Sequence, residues 1–232
     1  QQIQEQIAVL GPWFYEFDLG DGLRTNSELP PEVRAIFETR LAMVNRVVKS
    51  HFGDRLPEIQ CIDVGCHEGF YSMAMAALGV PRVVGVDVRD NNLAKARFVA
   101  AAKGCSAIEF QTGNCEELSA DKLGRFELSL FLGILYHLEN PMRCLRHIAA
   151  LTKELCVIET QVVDEVVGTT EWGSREWTRP YRGVLALIDE SDEFLADNTE
   201  TGASPVATCP SPAALIFMVK QRRWLFMYRK TM

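Results

Sequence analysis

The stretch Cys61 to Gly79, "CIDVGCHEGFYSMAMAALG", decides how the rest of the chain is read. A short apolar run reaches an acidic residue, passes through a turn holding Gly65 and Gly69, and continues with apolar residues at helical spacing. Strand, glycine turn and helix follow in that order, with Gly79 and Pro81 closing the helix. The same alternation repeats outward. "RVVGVDV" is a second strand, "NNLAKARFVAAAKG" a helix that Asp90 or Asn91 can cap and Gly104 ends, and "AIEFQTG" a third strand. After the short helix "EELSADKLG", "FELSLFLGIL" has almost no polar face, as a strand covered on both sides requires. "NPMRCLRHIAALTK" then places Pro141 near a helix N-terminus and leads into a fifth strand, "LCVIETQVV". Strands alternating with helices in this way predict a doubly wound, mostly parallel α/β sheet.

The 232 residues, 47% of them hydrophobic, suit one α/β domain with a substantial core. Seven dispersed cysteines without a C-x-x-C pair imply neither a disulfide framework nor a zinc site, so a reducing cytoplasm is the expected setting and no metal is implied. No apolar run approaches the roughly 20 residues a membrane span needs. A net charge of -7 argues against a general nucleic-acid binder, although Arg222, Arg223, Arg229 and Lys230 form a local basic group.

The flanks read differently. Residues 1–54 form an N-terminal extension with a helix, the aromatic segment "PWFYEFDLGDGLRT" turning at Gly20 to Gly22, and a second helix starting at "PPEV" and ending at Gly53. Residues 55–232 form the main domain, in which 164–209 has little regular period and reads as a lid or insertion. "SPAALIFMVKQ" is a helix and "RRWLFMYRK" a last strand. No seventh strand follows, and an exposed sheet edge favours a homodimer.

In such a sheet the ligand sits beyond the carboxyl ends of the strands. Gly65 and Gly69 let backbone approach a ligand, and Asp87, about 20 residues on, is placed to accept hydrogen bonds from ribose hydroxyls. Asp63 and Glu68 flank the turn and would repel a pyrophosphate while attracting an ammonium or, through water, a sulfonium. An amino-acid-bearing nucleoside fits better than a dinucleotide.

Together, "IDVGCHEGFYS", "VVGVDV", "FQTGNCEEL" and "LGILYHLENP" resemble the cofactor motifs of class I S-adenosylmethionine-dependent methyltransferases, over about residues 55–165. "LGILYHLENP" with "LCVIETQVVD" and the N-terminal aromatic segment is similar to the branch of transfer-RNA wobble-uridine methyltransferases and their relatives. The resemblance implies a Rossmann-like fold, S-adenosylmethionine as cofactor and S-adenosylhomocysteine as product. It also implies that Asp63, Gly65, Cys66, His67 and Gly69 surround the methionine half, that Asp87 and Val88 meet the ribose, and that Asn114 and Cys115 lie near the adenine, with Leu132 and Gly133 completing the set. His67 stands where the family's turn carries glycine.

Methyl transfer asks the protein to align an acceptor and, for a hydroxyl, to take its proton. His137 and Glu159 stand at the carboxyl edge as candidate bases, with Tyr136 beside them. Trp13, Phe14, Trp172, Trp177 and Tyr181 are candidates to cover a planar acceptor, and Arg179 to meet an acidic one. The expected function is methyl transfer to an oxygen, ahead of a nitrogen, of a small metabolite. A modified wobble uridine in transfer RNA is the second reading, and a nucleoside-binding protein without catalysis the third.

Overall fold

The computed structural model describes residues 2–166, 168–171, 178–190, 202, 204–220 and 224–230. The chain forms two compact units, Gln1–Asn114 with Phe126–Leu128, and Cys115–Arg125 with Ser129–Met232. The N-terminal extension expected over 1–54 falls inside the first of these.

In the first unit, α1 (Gln2–Leu10) precedes an extended segment and a small antiparallel pair, β1 (Asp18–Gly20) and β2 (Leu23–Arg24), which turns at Asp21 and Gly22. Helix α2 (Pro31–Phe52) begins with proline in its first turn and stops at Gly53, whose φ of 53° favours glycine. Then come β3 (Gln60–Val64), α3 (Phe70–Ala77), β4 (Arg82–Asp87), α4 (Asp90–Ala102) and β5 (Ile108–Thr112). β4 pairs in parallel with β3 and with β5. It is buried along nearly its whole length, which is why "RVVGVD" shows no alternation. Gly85 inside it is required by packing, since a Cβ there would lie 2.6 Å from Phe110 and 3.1 Å from Cys66 Sγ.

The second unit holds α5 (Ala120–Leu123), most of β6 (Phe126–Leu132), a 3-10 turn at Leu135–His137, α6 (Pro141–Leu151) and β7 (Thr152–Val162). Two antiparallel pairs follow, β8 (Gly168–Glu171) with β9 (Thr178–Tyr181) and β10 (Leu185–Asp189) with β11 (Val206–Pro210). Helix α7 (Pro212–Val219) is capped by the Ser211 hydroxyl, which accepts the Ala214 N–H, and β12 (Trp224–Lys230) runs parallel to β7. The main sheet has the order β12-β7-β6-β3-β4-β5, so strand order reverses beside β3. This is the doubly wound α/β fold expected from the βα alternation.

Within the segment 164–209, expected to be a lid or insertion, the described residues include two antiparallel strand pairs. These strands have four or five residues, and on β10 the apolar Leu185 and Leu187 stay exposed. No apolar alternation is left for a period to report. Among the described residues, no helix is long and apolar enough to cross a membrane.

Candidate functional site

The turn after β3 is built from left-handed backbone: Gly65 at φ 72°, His67 at 51° and Gly69 at 82°. Two of these positions suit glycine and the third carries an imidazole. Gly69 could not be replaced, since its Cβ would meet Phe110 Cζ at 2.9 Å and Ala96 Cβ at 3.2 Å. The turn is tied to the end of β4. Gly65 and Cys66 donate their N–H groups to the Val86 carbonyl at 2.8 and 3.0 Å, and the His67 N–H donates to Asp87 Oδ2 at 2.9 Å.

Asp87 also accepts the Arg89 N–H at 2.9 Å and the Asn92 side-chain amide at 3.3 Å, both on Oδ1. Burial raises its pKa, and these donors oppose the rise. The carboxylate is held in one orientation at a strand end and keeps acceptor capacity, as a ribose anchor needs. Asp63 is buried at the base of the turn and accepts the Ser72 hydroxyl at 2.6 Å.

Burial pushes Asp63 up to about 6, with the Ser72 hydrogen bond pulling down and Asp87 adding to the rise. Burial, with Lys95 and Arg89 nearby, holds His67 down to about 3. The two act oppositely on stability. The Asp63 contribution is present below about pH 4 and is lost as pH rises through about 6. The His67 contribution is present above about pH 6.5 and is lost as pH falls toward about 3. Asp63→Asn is therefore expected to gain on the wild type by about 1–3 kcal/mol between pH 4.5 and 7.5, as measured by urea unfolding at both values. An unchanged difference would reject the raised carboxyl.

Glu68, expected to flank the ligand, is instead consumed by the protein. Its side chain is fully buried and accepts the Phe14 N–H at 3.0 Å, the Tyr15 N–H at 2.9 Å and Lys95 Nζ at 2.9 Å. Lys95 also donates to the Pro12 carbonyl and lies 5.6 Å from the Trp13 ring centroid. A buried carboxylate this well neutralised has no charge left for a ligand. The N-terminal aromatic segment is thus strapped to the turn through Glu68. Thr25 holds it from the other side, accepting the Phe17 N–H at 2.8 Å and donating to the Tyr15 carbonyl at 2.9 Å.

Trp13, expected over the acceptor, is a core residue: it is 3% exposed and donates its indole N–H to the Ile7 carbonyl at 2.8 Å. A large indole beside two buried charges gains more from burial than from a mobile lid. Phe14 does reach the turn, its ring centroid 4.9 Å from that of His67, and Tyr15 lies 5.8 Å from it. Tyr15 stacks in turn on Phe70 at 4.5 Å, the planes 7° apart. Sequence reasoning missed Lys95 and Tyr15. The first sits in an ordinary-looking helical run, and only a buried partner marks it.

In the second unit, Gly133 follows β6 at φ 75° and donates its N–H to the Glu159 carbonyl at 2.9 Å, tying the end of β6 to β7. Leu132 closes β6, and Glu159 is a buried residue of β7. Tyr136 and His137 occupy the 3-10 turn with ring centroids 4.1 Å apart. His137 Nδ1 lies 2.7 Å from Glu190 Oε1, and Glu190 Oε2 accepts the Gly202 N–H at 2.8 Å. A Cβ at Gly202 would collide with the His137 carbonyl, so glycine is needed for this approach. With Nδ1–H donating to the carboxylate, the neutral tautomer of the ring has its lone pair on Nε2. Glu190 was also missed. It lies 53 residues from His137, in an acidic run that resembles a solvated surface.

Asn114 and Cys115 follow β5, and Val88, 39% exposed, follows Asp87. Burial raises the Cys66 thiol well above its usual pKa, and hydrogen bonding with Cys115, ahead of burial, does the same to Cys144. Both thiols are buried and packed in the core, a setting that disfavours the thiolate. Tyr181 is exposed, with its ring against Gly168. Trp172, Trp177, the Arg179 side chain and Arg222 to Arg223 lie outside the described residues.

Comparison with known proteins agrees with this fold. The chain is 28% identical over 166 residues to an O-antigen chain terminator bifunctional methyltransferase/kinase of Escherichia coli, covering 68% of this chain and 22% of that protein. It is 31% identical over 127 residues to a ubiquinone biosynthesis O-methyltransferase of Bordetella parapertussis, covering 55% of this chain and 49% of that enzyme. It therefore spans about a fifth of the first relative and about half of the second. The N-terminal domain of EvdMO1, solved with S-adenosylhomocysteine and D-fucose, has the same fold, with a TM-score of 0.67, 22% identity and coverage of 95% of this chain and 84% of that domain. The family described as "Methyltransferase domain" matches residues 56–210, and with the fold and the turn at Gly65 to Gly69 on the same strand ends, the chain belongs to that methyltransferase family.

Proposed function

We propose that the protein transfers a methyl group from S-adenosylmethionine to a hydroxyl oxygen of a small acceptor, with His137 as general base. The observation that carries the choice of oxygen is the 2.7 Å contact between His137 Nδ1 and Glu190. Such a pair serves a nucleophile that must lose a proton, and an aliphatic hydroxyl is too weak an acid to lose one unaided.

The cofactor supplies an electrophilic methyl on a sulfonium. Asp87 would hold the ribose hydroxyls, and Asp63, Gly65 and Gly69 the methionine half. In this scheme His137 Nε2 would take the acceptor's proton, Glu190 would stabilise the imidazolium, and the proton would pass afterwards to solvent. S-adenosylhomocysteine and a methyl ether result.

The relatives support this reading: one is an O-methyltransferase by name, another acts on O-antigen by name, and the EvdMO1 domain was solved in the presence of D-fucose. A saccharide hydroxyl is the acceptor class to test first. Methyl-labelled cofactor is incubated with the protein and either a saccharide panel or a cell extract split into RNA, protein and small-molecule fractions. Label in a saccharide or another small hydroxyl compound is expected. Label in transfer RNA, removed by nuclease, would replace this reading with wobble-uridine methylation. Binding of the cofactor without transfer to any fraction would favour the non-catalytic reading.

The ribose anchor has its own check. Asp87→Ala is expected to weaken S-adenosylhomocysteine by about 1–3 kcal/mol in calorimetry, because charge-assisted hydrogen bonds are lost and the His67 and Arg89 N–H groups are left unpaired. Unchanged affinity would reject Asp87 as the anchor.

A further inference from the structure

The imidazole of His67 stands in the middle of the turn that carries the proposed cofactor site, and the fold leaves its chemistry unused. Both ring nitrogens are buried and neither has a hydrogen-bond partner among the described residues. The backbone N–H is already committed to Asp87. The residue also sits at φ 51°, where a side chain is strained and glycine is not. Phe14 and Tyr15 pack around the ring, and the Glu68 clamp holds those two aromatics in place. Backbone strain and two orphaned buried nitrogens thus coincide at one residue, where glycine would remove both costs and still make the turn.

We propose that His67 is a positioning residue for the nucleoside cofactor, hydrogen-bonding through its ring nitrogens to polar atoms of the bound molecule. This rests on the cofactor reading above and extends it to the residue that stands in the turn in place of glycine. The ring, neutral in this buried and cation-flanked setting, offers one donor and one acceptor. That pair matches a ribose hydroxyl, which both donates and accepts, or the cofactor's amino-acid group. The aromatic clamp sets the ring plane, so the strap 12–17 serves cofactor binding from outside the sheet.

The test measures calorimetric affinity for S-adenosylhomocysteine and for 5′-methylthioadenosine, which lacks the amino-acid part, together with the melting temperature of the ligand-free protein. His67→Gly and His67→Phe are each expected to weaken S-adenosylhomocysteine about fivefold to tenfold, the loss for one neutral hydrogen bond or slightly more. His67→Asn and His67→Gln, which set an amide near Nδ1 and Nε2 respectively, should differ, with the better match recovering to within about twofold. His67→Gly should melt no lower than the wild type, because it removes strain and orphaned atoms, so affinity and stability move independently. A loss repeated with methylthioadenosine places the contact on the nucleoside, and a loss seen only with S-adenosylhomocysteine places it on the amino acid. Affinity unchanged in His67→Phe would overturn the inference and leave the ring as packing. A wild type that bound neither ligand would remove the cofactor reading and this inference with it.

Discussion

Glu68→Ala is expected to lower the unfolding free energy by about 3–5 kcal/mol, the range for breaking a buried ion pair by removing one partner. Three groups lose their acceptor at once: the Lys95 ammonium and the N–H groups of Phe14 and Tyr15. Lys95 is nearly as buried as its partner, with 5% of its side chain exposed, so water cannot readily replace the carboxylate. The paired variant Glu68→Leu with Lys95→Met should recover much of the loss, since two apolar side chains leave no uncompensated charge. Glu16→Ala makes the contrast. Its carboxylate meets Arg24 and Arg34 at 3.1 and 3.0 Å on the surface, and its removal should cost less than about 1 kcal/mol. Urea unfolding of the four proteins decides the matter, and a Glu68→Ala loss no larger than that of Glu16→Ala would show that the clamp is not structural.

His137→Ala should reduce kcat by about 10²- to 10⁴-fold with an identified hydroxyl acceptor, the usual range for a lost general base. Glu190 touches neither acceptor nor cofactor in this scheme and acts through the ring, so Glu190→Gln should cost less, on the order of tenfold to a hundredfold. The discriminating result is a fall in kcat with KM and S-adenosylhomocysteine affinity unchanged. A purely structural role for Glu190 would move all three, since the 3-10 turn would shift with it. Full turnover in His137→Ala would reduce catalysis to alignment of the reactants and remove the reason for preferring oxygen.

These variants fall on different parts of what the sequence made legible. The positions of Asp87 and the turn residues could be read in advance because they depend on local spacing: a strand end, a glycine turn and a second strand end about 20 residues on. His137 could be placed as well, because it follows a strand with no polar face. Its partner could not. Glu190 reaches it across 53 residues from a stretch without apolar period. The aromatic segment shows the same limit from the other side. "WFYEF" announces rings but not their destinations, and Trp13 goes to the core while Phe14 and Tyr15 go to His67.

What the sequence determined by itself is the βα alternation, the buried parallel strands and the glycine turn, because these arise from periodicity and from backbone conformations that few residues adopt. What only the tertiary structure decided is which donors each buried charge meets. Glu68 and Asp63 lie five residues apart at one turn, yet one is neutralised by a lysine from α4 and the other is buried with a serine hydroxyl. That division is electrostatic. A carboxylate's role is set by the donors within about 3 Å of it, and those come from residues whose distance in the chain carries no information about their distance in space.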